Sequence, residues 1–275
     1  MDEEDGEQLE PDESPEATAE AGLTEAGVEP DEDVEFQDDG TRGGPDGGLP
    51  LLWMGDALRE NGLDVREVQG WRTRGRPHPF LPHGAVFHHT ASNRHSGPRP
   101  ALGTVVKGRP MADGTFLFGP LCNVLVGRNG MVYLVAAGRA NHAGLGGPWR
   151  TIPVDSGNMY MAGVEVENDG IGEPWRKDLL QVCGVVFATL LIGLGRETGF
   201  LVGHKEWAPH RKTDPAQIPM DRYRQQVARR IQAIKRPHTP PAPPTASTLG
   251  STSMWSSPAT RCSASPRVTT CRCKR

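Results

Sequence analysis

The first forty residues hold eighteen Asp or Glu and no Lys or Arg. They include hardly any aromatic or branched apolar side chains. Such a segment cannot bury enough surface to offset the entropy of ordering its backbone, so residues 1–40 are expected to be disordered. The fold must therefore come from the residues beyond position 40. Residues 41–235 carry a net charge of +8 and residues 236–275 a net charge of +6, so the overall −4 describes no single surface. The stretch 41–50, TRGGPDGGLP, reads as a linker. From residue 236 the chain becomes rich in Pro, Ser and Thr, as linkers are. The chain thus divides into an acidic arm with linker (1–50), one globular domain (51–235), and a Pro/Ser/Thr-rich tail (236–275). The tail is either disordered or the remnant of a further domain.

Several classes are excluded. No basic segment followed by an apolar run opens the chain, which argues against a secretory signal peptide. The longest apolar stretch, 179–195, contains Gln181, Gly184 and Gly193 and is short for a membrane span. It reads as a buried helix. Two cysteines in 51–235, Cys122 and Cys183, are too few for a disulfide scaffold. They are expected to be small buried residues.

Within the domain, short helices and strands alternate. Helices are expected at 53–61, at 178–198 ended by Gly199, and at 221–235. Strands are expected at 85–88, 162–166 and 200–203. The segment 123–137 alternates apolar residues on both sides of Asn129-Gly130, a dipeptide suited to a type I′ hairpin turn. Strands interleaved with helices imply an α/β fold with a mixed central sheet flanked by helices.

The chemistry concentrates at strand ends. His88 and His89 close the 85–88 strand, His142 lies in NHAG, and His204 follows the 200–203 strand. The segment GHKEWAPHRKTDP (203–215) places Asp214 ten residues after His204, with Lys212 two before it. A loop of that length can fold back so that His204 and Asp214 reach one ion. Two imidazoles and a carboxylate suit a catalytic zinc with a fourth position open to water. Neighbouring strand residues point to opposite faces, so only one of His88 and His89 can face such an ion. His83, His95 and His210 are expected at the surface. Packing roles are expected for Trp149, Trp175 and Trp207.

Four stretches together resemble the zinc-dependent N-acetylmuramoyl-L-alanine amidases, the group that includes the peptidoglycan-recognition proteins and the amidase-type endolysins of phages infecting actinobacteria. They are VFHHTAS (86–92), NVLVGRNGMVYLVAAGRANHAG (123–144), AGVEVEN (162–168) and GHKEWAPHRKTDP (203–215), in the family's order. The resemblance covers roughly 51–235 and implies a single domain of that family's fold. It implies His88, His204 and Asp214 as ligands of one zinc ion. It implies Glu165 as general base and Lys212 as the cation that stabilises the tetrahedral intermediate. His142 is implied to line the substrate cleft. Asn123 stands where many relatives carry His and is expected at a substrate contact.

The implied function is hydrolysis of the amide between N-acetylmuramic acid and L-alanine, as in phage-induced lysis of the cell wall. The implied setting is a phage-encoded monomer made in the host cytoplasm, with peptidoglycan as partner and neither nucleic acid nor membrane span. Two alternatives stay open: a recognition domain that binds peptidoglycan without cutting it, and a cytoplasmic amidase acting on recycled muropeptides. Nucleic-acid binding through the basic residues 222–235 is disfavoured, since only Tyr223 among them offers a stacking ring.

Overall fold

The computed structural model describes residues 50–235. Expectations for the acidic arm, nearly all of the first linker and the tail lie outside the described residues. In chain order the elements are α1 (Met54–Glu60), β1 (Val65–Glu67), β2 (Gly84–His89), α2 (Leu102–Lys107), β3 (Gly108–Pro110), β4 (Phe116–Phe118), β5 (Val124–Val126), β6 (Val132–Leu134), α3 (Gly157–Tyr160), β7 (Met161–Val166), α4 (Lys177–Gly193), β8 (Leu201–Gly203), α5 (His204–Trp207) and α6 (Met220–Lys235).

Six strands form one sheet in the order β1-β6-β5-β7-β2-β8. Only the β5/β6 pair is antiparallel, so the sheet is mixed, as the alternation of elements implied. β3 and β4 form a separate antiparallel pair. The central strand β2 reads GAVFHH, and its first five residues are buried. A near-continuous apolar run is what a strand covered on both faces requires.

The register sorts residues onto two faces. Leu134, Val124, Val164 and Phe87 form one cross-strand row. They belong to the main core, to which α1, α4 and α6 contribute Leu58, Phe187 and Tyr223. The Phe87 ring meets those of Trp175, Phe187 and Tyr223 at centroid distances of 5.7, 5.0 and 5.2 Å. The next row, Tyr133, Leu125, Glu165 and His88, points to the opposite face. There α2 covers the Tyr133–Leu125 half through Val105 and Val106. The Glu165–His88 half is left to the site.

Two local expectations are corrected. α4 ends at Gly193, before the expected Gly199. Gly195 adopts φ +65°, its N–H donates to Ile192 O at 3.0 Å, and Arg196 N–H donates to Leu191 O at 2.8 Å. That paired C-terminal closure stops the helix four residues earlier than Gly199 would. The hairpin turn is not type I′. Gly130 has φ +84° whereas Asn129 is not left-handed. Gly130 N–H donates to Gly127 O at 2.9 Å, Gly127 N–H donates to Met131 O at 2.8 Å, and Asn129 Oδ1 accepts the Met131 N–H. This is the three-residue loop with its left-handed glycine last. Among the described residues no helix is long and apolar enough to cross a membrane.

Candidate metal centre

Each of three segments delivers one candidate ligand. The end of β2 places His88, α5 begins with His204 directly after β8, and the loop beyond α5 carries Asp214. Phe87 pairs with Gly203 across β2/β8, which brings His88 and His204 side by side. The Asp214 loop is anchored on both sides. Lys205 N–H donates to Asp214 O at 2.7 Å, and Lys205 Nζ donates to Pro215 O and Ile218 O, both at 2.9 Å. Ala216 N–H donates to His89 Nδ1 at 3.1 Å, and Trp175 Nε1 donates to Ala216 O at 2.8 Å. His89 thus faces away from His88 and braces the loop.

The result is a small triangle. His88 Nδ1 and His204 Nδ1 are 2.9 Å apart, and Asp214 Oδ2 is 3.0 Å from each. All three residues are buried. Ligand atoms around a tetrahedral zinc with bonds of about 2.0–2.1 Å lie roughly 3.3 Å apart, so a small expansion accommodates the ion. Three buried acceptor atoms this close repel one another unless a proton or a cation sits among them. The donor set, two imidazoles and one carboxylate, suits zinc.

The electrostatics agree. Burial lowers the His88 pKa to about 4, helped by His204 and Lys212 and opposed by Asp214, so the ring is neutral near pH 7. Burial alone would raise the Asp214 carboxyl, but hydrogen bonding to His204 and His88 and their charge hold it well below the usual carboxylate range. His88 is thus held neutral and Asp214 ionised, the states in which an imidazole and a carboxylate can bind a metal.

Glu165 is in register with His88 on the neighbouring strand β7, on the same sheet face. Neighbouring strands lie about 4.8 Å apart, so the two side chains leave the sheet side by side. Lys212 lies close enough for its charge to depress the His88 pKa. Cys122 is fully buried, and burial followed by the Glu165 charge pushes its thiol well up, so it is an inert neutral group. Cys183 is likewise buried, and desolvation pushes its thiol well up. Trp207 is fully buried against Gly146, Gly147 and Gly157, a packing role. His95 and His210 are exposed, while His83 is half-buried against Tyr160, with ring centroids 5.2 Å apart.

The two residues expected at the substrate are both buried. Asn123 is fully buried. Its Nδ2 donates to Ala136 O at 2.9 Å and Gly138 O at 2.7 Å, and its Oδ1 accepts Gly163 N–H at 2.9 Å. Its amide is spent on stapling β5 to β7 and to the segment after β6, which leaves none of its polar atoms open to a substrate in this structure. His142 is also buried. Its Nδ1 lies 3.0 Å from His88 Nε2 and its Nε2 lies 2.9 Å from Met161 O, so both ring nitrogens are engaged inside the protein, behind His88.

Other contributors were not anticipated. Glu167 follows β7 and is fully buried, accepting from Thr90 Oγ1 at 2.9 Å, Ser92 Oγ and Ala101 N–H at 2.9 Å. It ties the loop after β2 to the start of α2. Asn158 and Lys205 hold loops of the site. Arg139 lies near enough to His142 to depress its pKa, and its Nε is buried without a hydrogen-bond partner. Its own pKa is lowered by burial and by Arg76. Glu167 and Asn158 carry no local signal, because their partners lie between 15 and 77 residues away.

A family profile described as N-acetylmuramoyl-L-alanine amidase matches residues 76–217, just over half of the chain. The chain belongs to this amidase family. Membership makes the protein a peptidoglycan hydrolase acting on the amide between N-acetylmuramic acid and L-alanine. The metal-competent triangle lies wholly inside the matched region of the amidase. No match is found among curated proteins. Solved structures similar to the amidase include a selenomethionine derivative of AmpD, 21% identical with a TM-score of 0.45, covering 60% of this chain and 94% of that one. The endolysin amidase LysCS from Clostridium intestinale URNW is 16% identical with a TM-score of 0.44, covering 59% and 94%. The catalytic domain of XlyA is 18% identical with a TM-score of 0.43, covering 60% and 99%.

Proposed function

We propose that this amidase is zinc-dependent and that His88, His204 and Asp214 hold one ion. The observation that carries the reading is the convergence of these three buried donor atoms within 3.0 Å of one another. A binding-only relative would have no need of a complete ligand set. When bound, zinc supplies a Lewis acid for the scissile carbonyl and lowers the pKa of a water.

The chain's own residues do the rest. Glu165, beside His88 on β7, accepts the proton of the attacking water and passes it to the departing L-alanine nitrogen. The Lys212 ammonium stabilises the negative charge that develops on the carbonyl oxygen. The Arg139 guanidinium, with a buried unpartnered Nε, offers a cationic rim to the carboxylates of the peptide stem.

The catalytic domain is residues 51–235, acting as a monomer. Its place of action is the cell wall, in the manner of a phage-encoded lytic enzyme made in the host cytoplasm. Treating peptidoglycan with the purified chain tests the reading. Free L-alanine amino ends should appear without new reducing sugar ends, a chelator should abolish the reaction, and zinc should restore it. New reducing ends without new amines would sink it. Faster turnover of soluble muropeptides than of intact wall would favour a recycling enzyme over a lytic one.

A further inference from the structure

The two imidazoles of the triangle are held from behind in different ways. His204 Nε2 lies 3.0 Å from Ala143 O. A carbonyl only accepts, so the proton sits on Nε2 and the Nδ1 lone pair faces the triangle. The outer nitrogen of His88 bonds no carbonyl. Its Nε2 lies 3.0 Å from His142 Nδ1, and His142 Nε2 lies 2.9 Å from Met161 O.

The same logic runs through two rings. Met161 O fixes a proton on His142 Nε2, which leaves His142 Nδ1 to accept, and a His88 ring that offers Nδ1 to an ion carries its own proton on Nε2. His142 Nδ1 therefore receives the Nε2–H of His88, which leaves the His88 Nδ1 lone pair aimed at Asp214 Oδ2 and His204 Nδ1. The His88 and His142 rings meet nearly edge-on, with centroids 5.1 Å apart and planes at 84°.

The outer partners of both imidazoles come from adjacent residues. The backbone N–H groups of His142 and Ala143 both donate to Asn158 Oδ1 at 2.8 Å. The sheet leaves space for the relay ring at Gly163, where a Cβ would come within 2.6 Å of His142 Cγ.

We propose that the His142–Ala143 dipeptide, anchored by Asn158, is a clamp that sets the tautomer and aim of both metal-binding imidazoles, with His142 a positioning residue. This rests on the reading of His88, His204 and Asp214 as a zinc site. Outer partners of metal-bound histidines are commonly carboxylates or carbonyls. Here one of the two is a second histidine that relays a backbone carbonyl.

The test is the zinc dissociation constant of the full chain, measured by competition with a chromophoric chelator, with the visible spectrum of the cobalt-substituted protein as a record of ligand geometry. His142→Phe keeps a ring and removes both nitrogens. It should weaken zinc about 10–100-fold and alter the cobalt spectrum. His142→Asn puts an amide oxygen the same number of bonds from Cα as Nδ1 and should recover most of the affinity. Asn158→Asp retains the acceptor for both N–H groups and should bind zinc near the wild-type level, whereas Asn158→Leu should not.

A His142→Phe protein that binds zinc within twofold of wild type, with an unchanged cobalt spectrum, would overturn the clamp. So would a His142→Asn protein as weak as His142→Phe. Should His142→Phe fail to fold, the Asn158 pair and His142→Asn against wild type decide by the same criteria. A wild-type chain without zinc affinity would overturn the metal reading and the clamp with it. Tight wild-type binding that no clamp variant changes would overturn the clamp alone.

Discussion

Replacing Asn123 by alanine separates two meanings of one buried residue. As a substrate contact, Asn123 would affect KM and leave stability alone. As placed by the fold, it should do the reverse. Its side chain makes three hydrogen bonds, to Ala136 O, Gly138 O and from Gly163 N–H, and none reaches solvent. Each bond contributes about 1 kcal/mol net, and orphaned buried partners add to the loss, so Asn123→Ala should cost about 3–5 kcal/mol. For a domain of this size about 1 kcal/mol lowers Tm by roughly 2–4 °C, which gives a fall on the order of 6–20 °C. Asn123→Asp should be worse near neutral pH. Its first oxygen still accepts from Gly163, but the second confronts two carbonyl oxygens. Chemical denaturation of the metal-free chain measures the loss, and steady-state kinetics on soluble muropeptides measures KM. A stability change under about 1 kcal/mol together with a several-fold higher KM would refute the reasoning.

Three further outcomes are expected. Glu165→Gln should lower kcat by about 10²–10⁴-fold while zinc still binds in the chelator assay; full activity would remove Glu165 from proton transfer. Arg139→Ala should raise KM for substrates with a full peptide stem more than it lowers kcat, and an unchanged KM would exclude it from stem binding. The metal-free chain should lose stability on acidification. The folded pKa of His88 is about 4 against about 6.5 unfolded, so below pH 6.5 the unfolded chain takes up a proton that the folded chain refuses. The loss grows as pH falls from 6.5 to 4 and reaches about 3 kcal/mol at roughly 1.4 kcal/mol per unit, with burial of His142 acting in the same direction. A denaturation midpoint that stays flat from pH 7 to 4.5 would contradict this.

Much of the site was legible because its residues sit at the ends of strongly apolar strands. The run 84–87 has no alternative to a buried strand, and it ends on His88. Strand alternation alone decided that His88 and His89 face apart, and the fold puts His89 on the Asp214 loop. The distance between His204 and Asp214 in the chain suffices for a folded-back loop, and the loop does fold back. Elements shorter than a turn or two were not legible. β1, α2, β3 and β4 span three to six residues each, too few to show a period. The end of α4 was misplaced because Gly195 and Gly199 offer the same local chemistry. The pairing of Arg196 with Leu191 selects the first.

What the sequence determined by itself was the set of reactive groups and the segments that carry them, because burial of an apolar strand is a local consequence of its side chains. What only the tertiary structure decided was the duty of each polar residue between them. Asn123 and His142 stand beside the motif's reactive residues in every sequence-level sense, yet one staples the core and the other backs His88. A side-chain amide or imidazole has no role until its partners are fixed. Three of those partners, Gly163, His88 and Met161, lie between nineteen and fifty-four residues away along the chain and arrive only when the sheet closes.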